Sequence, residues 1–141
     1  MRRIGSFLAL LLFTSSALGQ VTSPAPANPL QGSWRLVSQK LIYPDSTVNV
    51  RGTSVPPSTK ILNDTHFAFG YQTEDGEEVY AGGGRYTLEG DSLYTEHIEY
   101  HSSIPNVGQS LTFKYRVEGN RWYHTGQIGN FVLEEVWERI K

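Results

Sequence analysis

Apolar and polar residues alternate along most of the chain in short runs, which glycine, asparagine and aspartate separate. Period-two alternation is typical of strands with one buried face, and no segment keeps a convincing helical apolar period over three turns. We predict eight strands, over residues 32–43, 59–63, 65–72, 79–89, 92–101, 109–118, 121–128 and 131–140. The chain is therefore expected to be all-β.

Most of the connections between these strands read as tight turns. Gly90-Asp91, Gly119-Asn120 and Gly129-Asn130 are hairpin signals, whereas 44–58 and 102–108 are expected to be longer loops. Short strands joined mostly by hairpins predict an eight-stranded, up-and-down antiparallel barrel. A β-sandwich is the alternative, although it would more often need long crossover connections.

A run of three glycines, residues 82–84, lies inside the fourth predicted strand. Glycines inside a strand weaken its pairing and usually mark a bulge or a sharp bend, which a barrel needs in order to close. A phosphate-binding loop would also be glycine-rich, but no helix follows here to supply an N-terminal dipole. We therefore predict a bulge or bend.

Residues 92–101 carry two different faces, because side chains alternate along a strand. One face carries Tyr94, Glu96, Ile98 and Tyr100, and the other carries Leu93, Thr95, His97, Glu99 and His101. The first face is the more apolar, so it is predicted to point inward. Neighbours on the second face could share a zinc ion, but a solvated strand explains them without the missing ligands and supporting groups. No metal site is predicted.

Glu96 is the unusual residue of the inward face. A buried carboxylate is costly unless it is paired or hydrogen-bonded, and the candidate partners are Arg85, Arg35, a tyrosine hydroxyl or His124. Glu96 is either part of a structural ion pair, a polar anchor for a ligand, or a general acid or base with His124 or a tyrosine as partner.

Alternation in the other strands predicts an aromatic interior. The candidate ligand-binding residues are Phe67, Phe69, Tyr94, Glu96, Tyr100, Phe113, Tyr115, Trp122 and His124. An eight-stranded barrel is either filled by its side chains or holds one small ligand, and the pattern leaves both open. Inward tyrosines favour a ligand with polar edges, because buried hydroxyls need partners.

The N-terminal region differs from the rest. Residues 1–19 combine two arginines, a short apolar run and small residues before Gln20, which predicts a cleaved signal peptide; a short anchor or an uncleaved stub is the alternative. The apolar run is too short to span a bilayer, so no stable membrane insertion is expected. Residues 20–29 are expected to be a Pro/Ala/Ser linker, and 30–141 a single domain, secreted or periplasmic.

Charge and composition narrow the possible functions. The formal net charge of −2 becomes −4 when Arg2 and Arg3 leave with the signal peptide. No basic stripe is present, so nucleic acid is not an expected partner. The absence of cysteine means that stability must come from burial, without disulfides. No nucleophile motif or P-loop is present, and no cofactor is predicted.

The stretch "LQGSWRLVSQK" resembles the Gly-x-Trp opening of the calycins, the group of lipocalins and fatty-acid-binding proteins. Residues 30–141, with "AGGGRYTLEGDSLYTEHIEY" and "VWERIK", resemble uncharacterised lipocalin-like proteins exported by bacteria, especially Bacteroidetes. The resemblance implies that Gly32 and Trp34 belong to a closed barrel end, where Trp34 packs near Arg139 in a cation–π contact.

The chain departs from this group in three ways. Residues 44–58 contain three prolines where fatty-acid-binding proteins insert a helical lid, and the Arg-x-Tyr carboxylate anchor near the C-terminus is absent. Typical lipocalins are longer and carry a disulfide. The resemblance therefore implies fold and export, and does not carry over a fatty-acid ligand.

Three functions follow from the sequence. The first is binding of a small molecule in the interior, which requires a cavity of a few hundred Å³. The second is an isomerase or hydrolase that uses Glu96 with His124. The third is a protein- or glycan-binding module that uses a barrel mouth or the outer face, which requires a contiguous exposed aromatic patch.

Overall fold

The computed structural model describes residues 28–51, 58–73 and 75–141. The predicted signal peptide and all but the last two residues of the predicted linker lie outside the described residues. Within the described part of the chain, no helix has the length and apolar character that crossing a bilayer would need.

The described residues form nine strands and one short helical turn. The strands are β1 (Gly32–Ile42), β2 (Thr47–Arg51), β3 (Thr59–Leu62), β4 (His66–Gln72), β5 (Val79–Glu89), β6 (Leu93–His101), β7 (Ser110–Glu118), β8 (Arg121–Ile128) and β9 (Phe131–Arg139). A 3-10 turn, Ile104–Asn106, lies between β6 and β7.

The strands pair antiparallel in the order β2-β1-β3-β4-β5-β6-β7-β8-β9, and β9 pairs with β1 to close the barrel. All eight predicted strands are present, and closure excludes the sandwich. The loop expected over 44–58 contains an additional strand, β2. It pairs with Ser38–Ile42 of β1, while β3 pairs with Gly32–Arg35, so the two short strands share one edge of β1.

The predicted bulge is confirmed between β5 and β6. Gly83 pairs with Tyr100 and Gly84 pairs with Ile98, which leaves Glu99 without a partner in the ladder. At Gly84 φ is +158°, and a Cβ there would collide with the carbonyl oxygen of His97. Only glycine fits at this position.

The bulge reverses the alternation of β6 after Ile98. Tyr94, Glu96 and Ile98 are buried as predicted, but Tyr100 is 54% exposed on the outer surface, where it covers Gly83. His101 points to the interior instead. The inward orientation predicted for Tyr100 and the outward one predicted for His101 are therefore wrong, because one extra residue exchanges the two faces.

One barrel end is closed by the contact that the resemblance implies. The Arg139 guanidinium lies 4.1 Å from the Trp34 ring centroid and donates hydrogen bonds to the carbonyls of Gln31 and Pro29, at 2.6 and 2.8 Å. A Cβ on Gly32 would lie 2.6 Å from Arg139 Nη1, so glycine leaves room for the guanidinium.

Above this contact the interior is filled by aromatic rings. Trp34, Trp122, Tyr94 and Phe67 are almost wholly buried, and Trp122 meets Trp34 edge-on with centroids 5.6 Å apart and Tyr94 with centroids 5.3 Å apart. This half of the barrel is packed. We call this packed aromatic half the floor of the interior.

We expect Gly84→Ala to destabilise the protein by about 3 kcal/mol. The added methyl group would collide with backbone atoms of β6, which can move only if the strand itself shifts. The matched control is Gly119→Ala, where φ is +60° but no atom lies within 4 Å of the new Cβ, so only the backbone strain of about 1 kcal/mol is expected. Urea unfolding measures both, and equal losses would contradict the prediction.

Candidate ligand-binding cavity

A cavity of about 460 Å³ occupies the half of the barrel away from Trp34 and Arg139. Its outer part is bounded by side chains near the ends of the strands, among them Leu41, Tyr71 and Phe131, which are partly exposed. The barrel is thus packed with aromatic side chains in one half and encloses an open volume in the other half.

One wall near the mouth is a group of rings. Tyr80 contacts Tyr71, Phe69 and His101, with centroid distances of 5.3, 6.2 and 4.8 Å. Asn106 Nδ2 lies 3.3 Å from both the Tyr80 hydroxyl and His101 Nε2, so the 3-10 turn is tied to this wall. Burial lowers the pKa of His101 below its ordinary value of 6.5, which keeps it neutral at neutral pH.

Glycine makes room for this wall. A Cβ on Gly82 would lie 2.7 Å from His101 Cδ2 and 2.9 Å from Phe69 Cε1. The glycine run therefore has two roles: Gly84 allows the bulge that turns His101 inward, and Gly82 leaves space for its ring.

A buried ion pair lies where the floor meets the cavity. Lys60 of β3 donates to Glu96 Oε1 of β6 at 2.7 Å, and both side chains are at least 94% buried (5% and 6% exposed). The Tyr94 hydroxyl donates to the same oxygen at 2.8 Å. β3 and β6 are not neighbours in the sheet, so the pair links two separate parts of the wall across the interior.

Aromatic rings surround the Lys60 ammonium. Nζ lies 5.0 Å from the ring centroid of Trp137, 5.4 Å from that of Trp122, and 5.8 Å from those of Phe67 and Phe69. Ring faces attract a cation, and the attraction grows when water is excluded. The rings and Glu96 together compensate a charge that burial would otherwise make costly.

A second carboxylate, Glu135 of β9, is held by three hydrogen bonds. Its Oε2 contacts His124 Nε2 at 2.5 Å and accepts from Trp137 Nε1 at 2.9 Å, while its Oε1 accepts from Gln39 Nε2 at 2.7 Å. His124 and Glu135 are direct cross-strand partners of β8 and β9. Both carboxylate oxygens of Glu135 therefore accept hydrogen bonds from side chains in the wall.

These contacts decide the protonation of Glu135. Burial by itself raises its pKa, but the His124 hydrogen bond, the charges of His124 and Lys60, and the Gln39 hydrogen bond lower the pKa from 4.5 to about 2. Glu135 is therefore ionised at neutral pH. Tyr71 is affected in turn: burial, Tyr80 and the charge of Glu135 raise its pKa above 10.0.

Two buried nitrogens have no hydrogen-bond partner among the described residues, His124 Nδ1 and Trp122 Nε1. Their rings are in contact, with centroids 4.9 Å apart, and the other face of His124 stacks on Phe113 at 4.6 Å. The imidazole is thus fixed by aromatic packing and by Glu135, which holds Nε2.

The DUF4488 family, described as a domain of unknown function, matches residues 29–141. The chain belongs to the DUF4488 family. The crystal structure of a lipocalin-like protein from Bacteroides uniformis ATCC 8492 is similar, with a TM-score of 0.53, and the match covers 80% of this chain and 100% of that one at 14% sequence identity. This likeness shows a lipocalin-like barrel fold. No curated protein matches the chain.

The cavity of this DUF4488 chain includes four of the nine predicted site residues: Phe69, Glu96, Phe113 and His124. Phe67, Tyr94, Tyr115 and Trp122 are inside the barrel as predicted but belong to the packed core, and Tyr100 lies outside. Glu96 and His124 do not pair with each other. Each has a different partner, Lys60 and Glu135 respectively.

The candidate partners of Glu96 are only partly correct. A tyrosine hydroxyl does contact it, but Arg85 pairs with Glu99 at 2.8 Å and Arg35 with Glu138 at 3.3 Å on the outer surface. Sequence reasoning missed Lys60 and Glu135. Both could have been found from alternation, because Lys60 shares a face with Leu62, and Glu135 shares one with Leu133 and Trp137.

His97, Glu99 and His101 do not converge. His97 contacts Ser110 Oγ at 3.0 Å, Glu99 pairs with Arg85, and His101 accepts a hydrogen bond from the Ser103 backbone N–H. In the described part of the chain, no three acidic, histidine or cysteine side chains cluster in a way that could bind a metal ion.

We expect Lys60→Met to destabilise the protein by about 3–5 kcal/mol, because it leaves the buried Glu96 carboxylate without its cation. The double variant Lys60→Met/Glu96→Leu should recover most of this loss. The control is Lys40→Met in the surface pair with Glu134, whose side chains are 43% and 45% exposed; it should cost about 1 kcal/mol or less. Urea unfolding at neutral pH measures all three, and a single variant as mild as the control would contradict the assignment.

The pH dependence of stability should reflect Glu135. Its pKa in the folded protein is below its ordinary 4.5, so its contribution is present above pH 4.5 and is lost as the pH falls toward about 2. Glu135→Gln should flatten the fall of unfolding free energy in that window. The neighbouring Glu134→Gln, on the outer face, should keep the wild-type slope, and identical slopes for both variants would contradict the prediction.

Proposed function

We propose that the chain is an exported barrel that binds a small, partly apolar molecule in its cavity. The observation that carries this proposal is the open volume of about 460 Å³ above the aromatic floor. Ligand pockets have volumes of about 300–1,000 Å³ and combine apolar walls with a few placed polar groups. This cavity has that composition.

The arrangement of groups in the cavity suggests how a ligand would be oriented. Leu36, Ile98, Leu111, Phe113 and Leu133 provide apolar contacts along the walls. Charged groups are concentrated at the inner end, where Lys60, Glu96 and Glu135 lie, while neutral polar groups such as Tyr80 and Asn106 lie near the mouth. A ligand with one polar end and an apolar body fits this distribution.

The two alternative functions have less support. A glycan- or protein-binding face calls for clustered exposed aromatic residues, yet Tyr100 is the only aromatic residue among the large apolar side chains that are exposed in the described part of the chain. An acid–base function for Glu96 calls for a partner that exchanges protons near neutral pH. Its hydroxyl partner Tyr94 has a pKa raised well above 10.0 by burial and by Glu96 itself.

Filling the cavity tests the proposal. We expect wild-type protein to enhance the fluorescence of N-phenyl-1-naphthylamine, a neutral apolar dye, and Leu111→Trp to weaken dye binding at least tenfold, because the indole occupies the volume that the dye needs. The matched control Ile61→Trp adds the same indole at a position that is 54% exposed, and should bind like wild type.

Circular dichroism and the urea midpoint establish that both variants are folded. Absence of dye binding in wild-type protein, or unchanged binding in Leu111→Trp, would count against an interior site.

A further inference from the structure

The inner end of the cavity carries charges that already compensate each other. The charged side chains that line it in the described part of the chain are Lys60, Glu96 and Glu135, with His101 and His124 as titratable neighbours. One lysine faces two carboxylates, so even with the charge of His124 counted the inner end of the cavity has no surplus positive charge.

Lys60 is poorly placed to bind an anion. Its ammonium is 2.7 Å from Glu96 Oε1 and lies 5.0–5.8 Å from four aromatic ring centroids, so its charge is already compensated within the wall. A carboxylate brought to this position would also approach Glu96 and Glu135. In a site from which water is largely excluded, repulsion between like charges is much stronger than in water.

Glu96, in contrast, retains an acceptor. Lys60 and Tyr94 both donate to Oε1, and no described residue donates to Oε2. The Glu96 side chain is 94% buried (6% exposed) and lines the cavity, so Oε2 is a hydrogen-bond acceptor with unused capacity beside the open volume. Because this oxygen is reached from the cavity, a ligand donor that replaces water there makes a charge-assisted hydrogen bond, which is stronger than one between neutral groups.

We propose that the cavity selects an apolar molecule whose inner end donates hydrogen bonds, an amine before an alcohol, and that it rejects a free carboxylate. The donor end would contact Glu96 Oε2, and the apolar body would extend between Ile98, Leu111 and Leu133 toward the mouth. This inference rests on the proposed function and specifies the chemical class of its ligand.

Three ligands with the same chain and different ends test the proposal by displacement of N-phenyl-1-naphthylamine at neutral pH: decylamine, decan-1-ol and decanoate. We expect decylamine to bind at least tenfold more tightly than decanoate, with decan-1-ol between them. Equal or tighter binding of decanoate overturns the inference and leaves small-molecule binding intact. Failure of the dye and of all three ligands to bind overturns both.

A substitution connects the preference to Glu96. Glu96→Gln removes one negative charge from the inner end and leaves Lys60 with only a neutral amide partner. Decanoate should therefore gain affinity and decylamine should lose it, so that the ratio of the decanoate Kd to the decylamine Kd falls at least tenfold. The control Glu134→Gln, on the outer face beside Lys40, should keep the wild-type ratio. If Glu96→Gln does not fold, Glu135→Gln removes the second carboxylate charge from the same end of the cavity, and an unchanged Kd ratio in that folded variant overturns the inference.

Discussion

The ion pair between Lys60 and Glu96 determines how the interior is divided. Two opposite charges cannot be buried in an aromatic core unless their hydrogen-bonding groups are satisfied, and here Tyr94, on the floor side, satisfies part of that need. The pair therefore lies at the boundary between the packed half and the cavity. Because it joins strands that are not neighbours, it also fixes the spacing of the two walls that the cavity separates.

The hydrogen bonds of Glu135 form a second polar group in the cavity wall, on β1, β8 and β9. Gln39, His124 and Trp137 engage both oxygens of the carboxylate, so little hydrogen-bonding capacity is left for a ligand. Glu96 differs, because both of its donors among the described residues reach a single oxygen. The two buried carboxylates that line the cavity thus differ: both oxygens of Glu135 are engaged by the wall, whereas Glu96 has one oxygen with no donor among the described residues.

Alternation in the sequence predicted the strands and most of the inward residues, because a period of two follows from strand geometry alone. It failed where a bulge inserts a residue. The glycine run that includes Gly84 predicted the bulge, but it did not predict that His101 would take the inward position expected for Tyr100. In β1 the register shifts between Leu36 and Ser38, and this shift turns Gln39 toward Glu135. The sequence around it contains no glycine or proline that would indicate a bulge. A tyrosine hydroxyl was among the predicted partners of Glu96, and alternation places Lys60 on an inward face, but the pairing of Lys60 with Glu96 depends on a contact across the barrel that no single strand reveals.

The two bulges have a common effect on the site. Each bulge lies part-way along its strand. On the floor side of the bulge, the alternation directs Trp34, Leu36 and Tyr94 into the interior. On the mouth side, the residues that would otherwise face outward face the interior instead. The same strands can therefore direct apolar side chains inward at the closed end and direct Gln39 and His101 to the cavity at the other end. Which polar residues reach the cavity therefore depends on where the second pattern begins along each strand. In this barrel the set of polar residues at the cavity thus depends on the positions of the bulges as much as on the residue types.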